Sequence, residues 1–328
     1  GLKAIGWTDE DIEHYQTYGV NWNEEDDQYH KVPGDNIALY GVLTVDNIAV
    51  HRDKIVYLPK IDISNGLGVG FSSLVTLVAI PMLDTSKLNN TTAMFSGCKS
   101  LVTIPKLDIS NSTSTSEMFS GCMSLKSIPQ LDTGNVTTMA SMFAGCLSLV
   151  SIPQLDTSKV TKMTNMFSNC TSLVSIPLLD TRNVESMYQM FFNCYNLLNV
   201  PLLDTRNVTN MYGMFMQCRT LKSIPSFNTI NVSNMNYMFE NCECLSSVSQ
   251  LDMSKTTYTS NMFNYCASIQ TAKLKGLRAD IKIINSYLLT KDSLLYIINN
   301  EAATSAITIK LSSYCYTKYS TDADVIAA

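Results

Sequence analysis

Cysteine is the residue with the widest chemistry in this chain of 328 residues, and ten are present. Eight of them, Cys98, Cys122, Cys146, Cys170, Cys194, Cys218, Cys242 and Cys266, stand 24 residues apart, and Cys244 and Cys315 fall outside the series. Thiols can pair as disulfides, ligate zinc or pack as small hydrophobes. No Cys-x-x-Cys pair exists, the nearest being Cys242-x-Cys244. A thiol held at one phase of a repeat must lie over its own copy in the next unit. The series therefore reads as a buried ladder, with disulfides or a metal as the competing reading. Cys244 and Cys315 are the thiols to test for reactivity or for pairing with each other.

A second series, Asp84, Asp108, Asp132, Asp156, Asp180, Asp204 and Asp252, has the same spacing, and Asn228 fills its gap. Stacked carboxylates could hold calcium, but calcium solenoids set Gly-rich turns beside their aspartates. Asn228 keeps an acceptor and drops the charge, which favours capping of turn N–H groups. Asn135-Val-Thr137, Asn207-Val-Thr209 and Asn231-Val-Ser233 match a glycosylation acceptor but also match the repeat consensus. Gly66-x-Gly68-x-Gly70 lacks the Lys-Ser/Thr of a phosphate loop, and His14, His30 and His51 belong to no G-x-S-x-G or H-E-x-x-H motif. The sequence assigns no catalytic residue, no cofactor and no metal site, and the chain reads as not an enzyme.

These series exist because the chain repeats. Met-Phe recurs at 94, 118, 142, 166, 190, 214, 238 and 262 without a slip. Such a period marks a solenoid, since one coil cannot bury its own apolar face and neighbours must stack. In the coil from Leu131 to Gln154, Val136, Met139, Met142, Phe143 and Cys146 have the spacing of one face of a short helix. Gly145 follows, at a place taken elsewhere by Gly97, Gly121, Asn169, Asn193 and Asn241, residues that tolerate the left-handed conformation ending a helix. Leu149, Ile152 and Leu155 suit a short strand, which Pro153 and its copies would end. The expected fold class is α/β, a horseshoe with short parallel strands on the concave face and short helices on the convex face, capped at both ends.

The run Asn135-Val136-Thr137-x-Met139-x-x-Met142-Phe143-x-x-Cys146, followed by Leu149-x-x-Ile152-Pro153, resembles the BspA-like leucine-rich repeats of bacterial surface proteins. The similarity covers about residues 58 to 275. It implies a leucine-rich-repeat fold and contacts with host proteins, matrix or other cells. Similar repeats in phage tail-associated proteins leave a virion origin open. The resemblance supplies no catalytic residues.

The expected organisation is an N-terminal helical cap over 1–57, a solenoid of one shortened and eight full coils over 58–275, and a C-terminal α/β cap over 276–328. A helix from Thr8 to Gly19, a solvated acidic turn at Glu24 to Asp27 and a loose turn at Gly66 to Gly70 belong to the N-terminal part. Strands at 281–284 and 306–312, a helix at 290–299 and a last helical turn at 322–327 belong to the C-terminal part.

The outward positions drift along the array. Early coils carry Ser, Thr, Ala, Lys and Asn, whereas coils five to eight carry Tyr188, Phe192, Tyr195, Tyr212, Met216, Tyr237, Tyr258 and Tyr265. Aromatics give large contact area at low entropic cost, as binding surfaces do. These eight are the candidate partner-binding residues, with packing between neighbouring coils as the competing reading. The strand face, carrying Val102, Lys126, Val150, Val174, Leu198 and Lys222, names no partner. A formal charge of −5 argues against nucleic acid, and the longest apolar stretch, Leu74 to Leu83, is too short to span a bilayer. The sequence thus points to a binding or adhesion module for a protein or glycan at a cell or matrix surface, extracellular or on a virion. The alternative is a purely structural spacer. The oligomeric state is unassigned.

Overall fold

The computed structural model describes residues 29–31, 37–39, 55–57, 71–80, 83–300 and 307–327. The expected N-terminal helix, the acidic turn and the Gly66–Gly70 turn lie outside them. The chain divides into two compact units, Gly1–Lys159 and Val160–Ala328.

The first unit opens with three short strands, β1 (Tyr29–Lys31), β2 (Ile37–Leu39) and β3 (Ile55–Tyr57), ordered β1-β2-β3. The β1/β2 pair is antiparallel and the β2/β3 pair parallel. Thr76 donates its hydroxyl to the Ile55 carbonyl, which ties this sheet to the first coil. From there the unit is a stack of 24-residue coils. Phe71, Phe95, Phe119 and Phe143 lie ring over ring, with centroids 5.8, 5.9 and 5.9 Å apart.

The second unit repeats this interior. Phe167, Phe191, Phe215, Phe239 and Phe263 stack at 5.6, 5.6, 5.8 and 5.5 Å. In both units the in-phase Val, Met, Phe, Cys, Leu and Ile of the coils are buried, as the periodicity requires, while out-of-phase residues such as Val150 and Leu178 are exposed. Each buried Phe contributes about 1.5–3 kcal/mol by leaving water.

The backbone carrying these side chains is not helical. Among the described residues no helix precedes residue 291, so the expected convex-face helices are corrected to runs of turns. Around Phe95, the N–H groups of Met94, Ser96 and Cys98 turn back to Thr91, Ala93 and Phe95 carbonyls three residues earlier. The alternate N–H groups of Ala93, Phe95 and Gly97 donate to Ser116, Met118 and Ser120 of the next coil, at 2.8, 2.9 and 2.6 Å. Two residues four apart, such as Ala93 (φ 54°) and Gly97 (φ 75°), are left-handed in every coil. A right-handed helix tolerates neither that φ nor the diversion of its N–H groups, so the inward face survives while the helix does not.

The strand face is corrected in the same way. Proline removes a donor from each of the earlier coils, and one backbone bond per coil remains there, as from Val102 N–H to Val78 O and from Lys126 N–H to Val102 O. Only where Ser249 and Lys273 replace proline does a ladder form, between β4 (Ser247–Asp252) and β5 (Thr271–Lys275). Of the other inter-coil bridges, one, Ser223 with Ser247, lies on this strand face, and the rest lie just before the first Met of the coil: Ser114 with Thr138 in the first unit, and Lys162, Ser186, Asn210, Asn234 and Tyr258 in succession in the second.

The second unit ends with β6 (Ile281–Ile283), α1 (Lys291–Asn299), β7 (Ile309–Leu311), α2 (Ser313–Tyr319) and α3 (Ala323–Ala327). Thr290 caps α1 by accepting from Ser293 N–H, and Ser312 caps α2 by accepting from Cys315 N–H. β6 and β7 are parallel and in register, Lys282 opposite Lys310. Helix α2 falls in a stretch where the sequence suggests none.

Candidate interaction surface

The thiols do structural work. Cys98, Cys122 and Cys146 each donate from Sγ to the carbonyl of Phe71, Phe95 and Phe119 in the preceding coil, all at 3.1 Å. Cys194, Cys218, Cys242 and Cys266 do the same toward Phe167, Phe191, Phe215 and Phe239, at 2.9–3.1 Å. All ten cysteines are reduced thiols, and nine of them, Cys170 included, are buried. Burial pushes the Cys122, Cys194, Cys218 and Cys242 thiols well up, and that of Cys266 to about 12. Cys315 is buried and donates to the Ser286 carbonyl at 3.2 Å, so it is not paired with Cys244, which is exposed.

The aspartates cap turns. Asp84, Asp108, Asp132, Asp156, Asp180, Asp204 and Asp252 each accept from the N–H two residues on, and Asn228 does so from Ile230. The Ser110 hydroxyl lowers the Asp108 pKa, and the guanidinium groups of Arg182 and Arg206 lower those of Asp180 and Asp204. The three sequon asparagines spend their amides on carbonyls of the preceding coil: Asn135 on Ser110, Asn207 on Arg182 and Asn231 on Arg206. Among the described residues no group of three His, Cys, Asp or Glu side chains could hold a metal ion. No described helix is long and apolar enough to cross a membrane.

What remains for recognition is the outward side of the Met-Phe segment. Ser186 and Asn210 position it by accepting from the N–H groups of Tyr188 and Tyr212, at 3.3 and 2.9 Å. Gln189 N–H then donates to the Tyr212 carbonyl and Gly213 N–H to Asn236, which sets neighbouring tyrosines one coil apart. The Tyr188 and Tyr212 rings stack at 5.0 Å and 15°, and Tyr237 leans on Tyr212 at 5.3 Å and 55°. Burial, then the neighbouring Tyr188 and Tyr237, raise the Tyr212 pKa. Phe192 and Met216 lie half-buried at equivalent positions of adjacent coils. The Arg219 guanidinium covers the Tyr195 ring at 4.9 Å and reaches Glu243 at 3.6 Å. Tyr258 and Tyr265 are exposed, and neither ring has a ring partner among the described residues. The eight candidate residues therefore form a tyrosine ridge, a half-buried pair, a cation-covered ring and two open rings.

Stacked 24-residue coils with a recurrent buried interior and variable outward side chains define a repeat protein. The chain belongs to the family described as Mycoplasma protein of unknown function, DUF285, which matches residues 71–178 and 174–276. No curated protein matches it. Solved structures similar to it include bacterial leucine-rich-repeat proteins. One from T. pallidum is 22% identical, with 59% of this chain and 87% of that one covered at a TM-score of 0.38. One from Eubacterium ventriosum is 12% identical, with coverage of 86% and 94% and a TM-score of 0.30. A leucine-rich cell surface protein from Faecalibacterium prausnitzii is 15% identical, with coverage of 77% and 87% and a TM-score of 0.25.

Proposed function

We propose that this protein is a non-catalytic binding module of the leucine-rich-repeat class, with repeats of the BspA-like kind. In this reading it works at a cell or matrix surface, and residues 1–57 and 276–328 protect the ends of the repeat array. The partner docks on the Met-Phe side of coils five to seven. The observation that supports this most is the aromatic ridge itself. Tyr188 and Tyr212 occupy positions where the first unit manages with Thr92, Ser116 and Ala140 on the same backbone. The fold does not require rings there. Because the scaffold is rigidly hydrogen-bonded from coil to coil, little ordering entropy opposes docking.

The spacer reading draws on one observation, the mutual stacking of Tyr188, Tyr212 and Tyr237, which is what packing between coils would produce. The two are separated by replacing Tyr188→Thr and Tyr212→Ala together, the residue types the first unit uses. Retention on immobilised matrix proteins and on whole bacterial cells is then compared with that of the unaltered chain. A binding module is retained on at least one surface and loses roughly tenfold or more in affinity in the variant, about 1.4 kcal/mol. Its melting curve stays cooperative. Equal retention of both proteins, or none for either, leaves the spacer.

A further inference from the structure

In the full coils the place after Met-Phe turns acidic once, at Glu240 of coil seven, which is 8% exposed. A carboxylate so far out of water is ordinarily paired with a cation or fully hydrogen-bonded. Glu240 is neither. Its Oε1 accepts from Asn264 Nδ2 at 3.0 Å, and no ion pair among the described residues includes it. Its other oxygen has no hydrogen-bond partner there either. That oxygen keeps contact with solvent, since the partnerless side-chain atoms sealed from water among the described residues are Thr85 Oγ1, Asn165 Oδ1 and Asn193 Oδ1.

Tyrosine borders this carboxylate. In coil six a Cβ at Gly213 would lie 3.7 Å from that of Met216, and coil seven places Tyr237 and Glu240 at those two positions. Both turns are closed by the same bond, Met216 N–H to Gly213 O and Glu240 N–H to Tyr237 O, each at 3.1 Å. Gly213 (φ 56°) and Tyr237 (φ 59°) also share one conformation. The Tyr237 and Glu240 side chains therefore start side by side. Tyr237 leans on Tyr212, and the Glu240 charge adds to the rise of the Tyr212 pKa after burial, Tyr188 and Tyr237 have acted. It adds to that of Cys266 as well, after burial, so the carboxyl lies between the ridge and the thiol ladder.

The molecule itself shows what a ring and a carboxylate hold together. Tyr195, Arg219 and Glu243 occupy one position in coils five, six and seven, and the Arg219 guanidinium covers the Tyr195 ring at 4.9 Å while reaching Glu243 at 3.6 Å. A guanidinium suits that place because its flat face stacks on a ring while its N–H edge meets a carboxylate. At Tyr237 and Glu240 the ring and the carboxylate recur, and among the described residues no cation of this chain lies over the one or beside the other. Resting on the docking surface proposed above, we infer that Tyr237 and Glu240 form its arginine subsite. The partner is a basic protein segment that lays one guanidinium against the Tyr237 ring and donates to the open oxygen of Glu240. The formal charge of −5 on this chain favours a partner of that sign.

The test titrates the full chain at low salt with acetyl-Gly-Ser-Arg-Ser-Gly-amide and with its citrulline counterpart, which keeps the shape and loses the charge, and follows the tyrosine ring resonances by NMR. The arginine peptide binds more tightly by about threefold or more. Glu240→Gln, which keeps an acceptor for Asn264, abolishes that preference. Glu185→Gln, an equal change of net charge at an exposed residue, retains it. A preference below about threefold, one that survives in Glu240→Gln, or one that Glu185→Gln removes as fully, overturns the inference. The comparison of the two peptides needs no variant, so it stands whatever a substitution does to folding. Retention on cell and matrix surfaces separates the subsite from the docking surface it rests on. Retention lost in the Tyr188→Thr, Tyr212→Ala variant but kept in Glu240→Gln refutes the subsite alone, whereas equal retention of all three proteins overturns the docking surface itself.

Discussion

The Met-Phe sides of the two units share one backbone and differ in what they show to solvent. Ala93, Glu117 and Ser141 in the first unit, and Asn165, Gln189, Gly213 and Tyr237 in the second, all sit at φ between 50° and 59°. The rungs from Phe95 N–H to Met118 O and from Phe191 N–H to Met214 O are both 2.9 Å. Outside this common frame, the place after Met-Phe holds Ser96, Ser120 and Ala144 in the first unit and Ser168, Phe192, Met216, Glu240 and Asn264 in the second. One scaffold thus accepts small and large residues alike. Outward identity is free of the fold, while inward identity is bound to it.

The largest effect expected from a common interior is alkaline unfolding. Burial raises the folded-state pKa of Cys122 in the first unit and of Cys194, Cys218, Cys242 and Cys266 in the second. An unfolded thiol titrates near about 8.5. Below that pH both states hold the proton and the thiols' contribution is fully present. Above it the unfolded chain releases protons that the folded chain keeps, so stability falls as pH rises toward the folded values. Each such thiol costs about 1.4 kcal/mol per pH unit in that window. Several acting together make the loss steep. Urea midpoints measured from pH 7 upward should hold to about 8.5 and then drop in both units, and a flat profile to pH 10.5 would mean the thiols are not buried as described.

A smaller test removes one ring from each stack. Phe119 lies between Phe95 and Phe143, and Phe215 between Phe191 and Phe239, all fully buried. Phe119→Ala and Phe215→Ala should each cost about 3–5 kcal/mol. Near-equal values from chemical denaturation would support an equivalent interior, and a gap wider than the spread of that range would break the comparison.

Much of this was legible in the residues because burial leaves a periodic trace. The inward set of each coil, the buried in-phase thiols, the turn-capping aspartates and the left-handed Gly or Asn before most in-phase Cys follow from spacing and residue type, whereas Gln217 and Tyr265 hold the same conformation without signalling it. The turns did not follow. Their second left-handed position is filled by Ala93, Glu117, Ser141, Gln189 and Tyr237, none of which signals positive φ, while Met and Phe at three- and four-residue steps imitate a helix. Strand placement also misled, since proline stops the ladder on the Leu-x-x-Ile side while bridges form before the first Met. The stacking of Ser286 on Cys266 and of Cys315 on Ser286 escaped because these steps are 20 and 29 residues. A fixed period therefore sets Cys315 off phase although its sulfur bonds as the ladder thiols do.

The finest contrast lies in the aspartate turns. In the second unit Arg182 and Arg206 each bond back to the aspartate two residues before, with N–O distances of 2.8 and 2.9 Å to the second carboxylate oxygen. In the first unit the equivalent residues are Ser86, Ser110, Gly134 and Ser158, and the same turn closes without a guanidinium, the Ser86 and Ser110 hydroxyls donating to their aspartates instead. The arginine is therefore an addition to a turn that already stands. The Arg206 side chain is 69% exposed, so solvent and salt screen most of the pair's attraction. Arg206→Ser should cost less than about 1 kcal/mol at low ionic strength and nothing measurable at high salt. The lowered Asp204 pKa adds stability above the unfolded carboxylate range, and that increment fades as pH falls through the folded value. Arg206→Ser should therefore equal the unaltered chain at low pH and trail it slightly at neutral pH. A loss of several kcal/mol would show that the second unit depends on its arginines in a way the first unit does not.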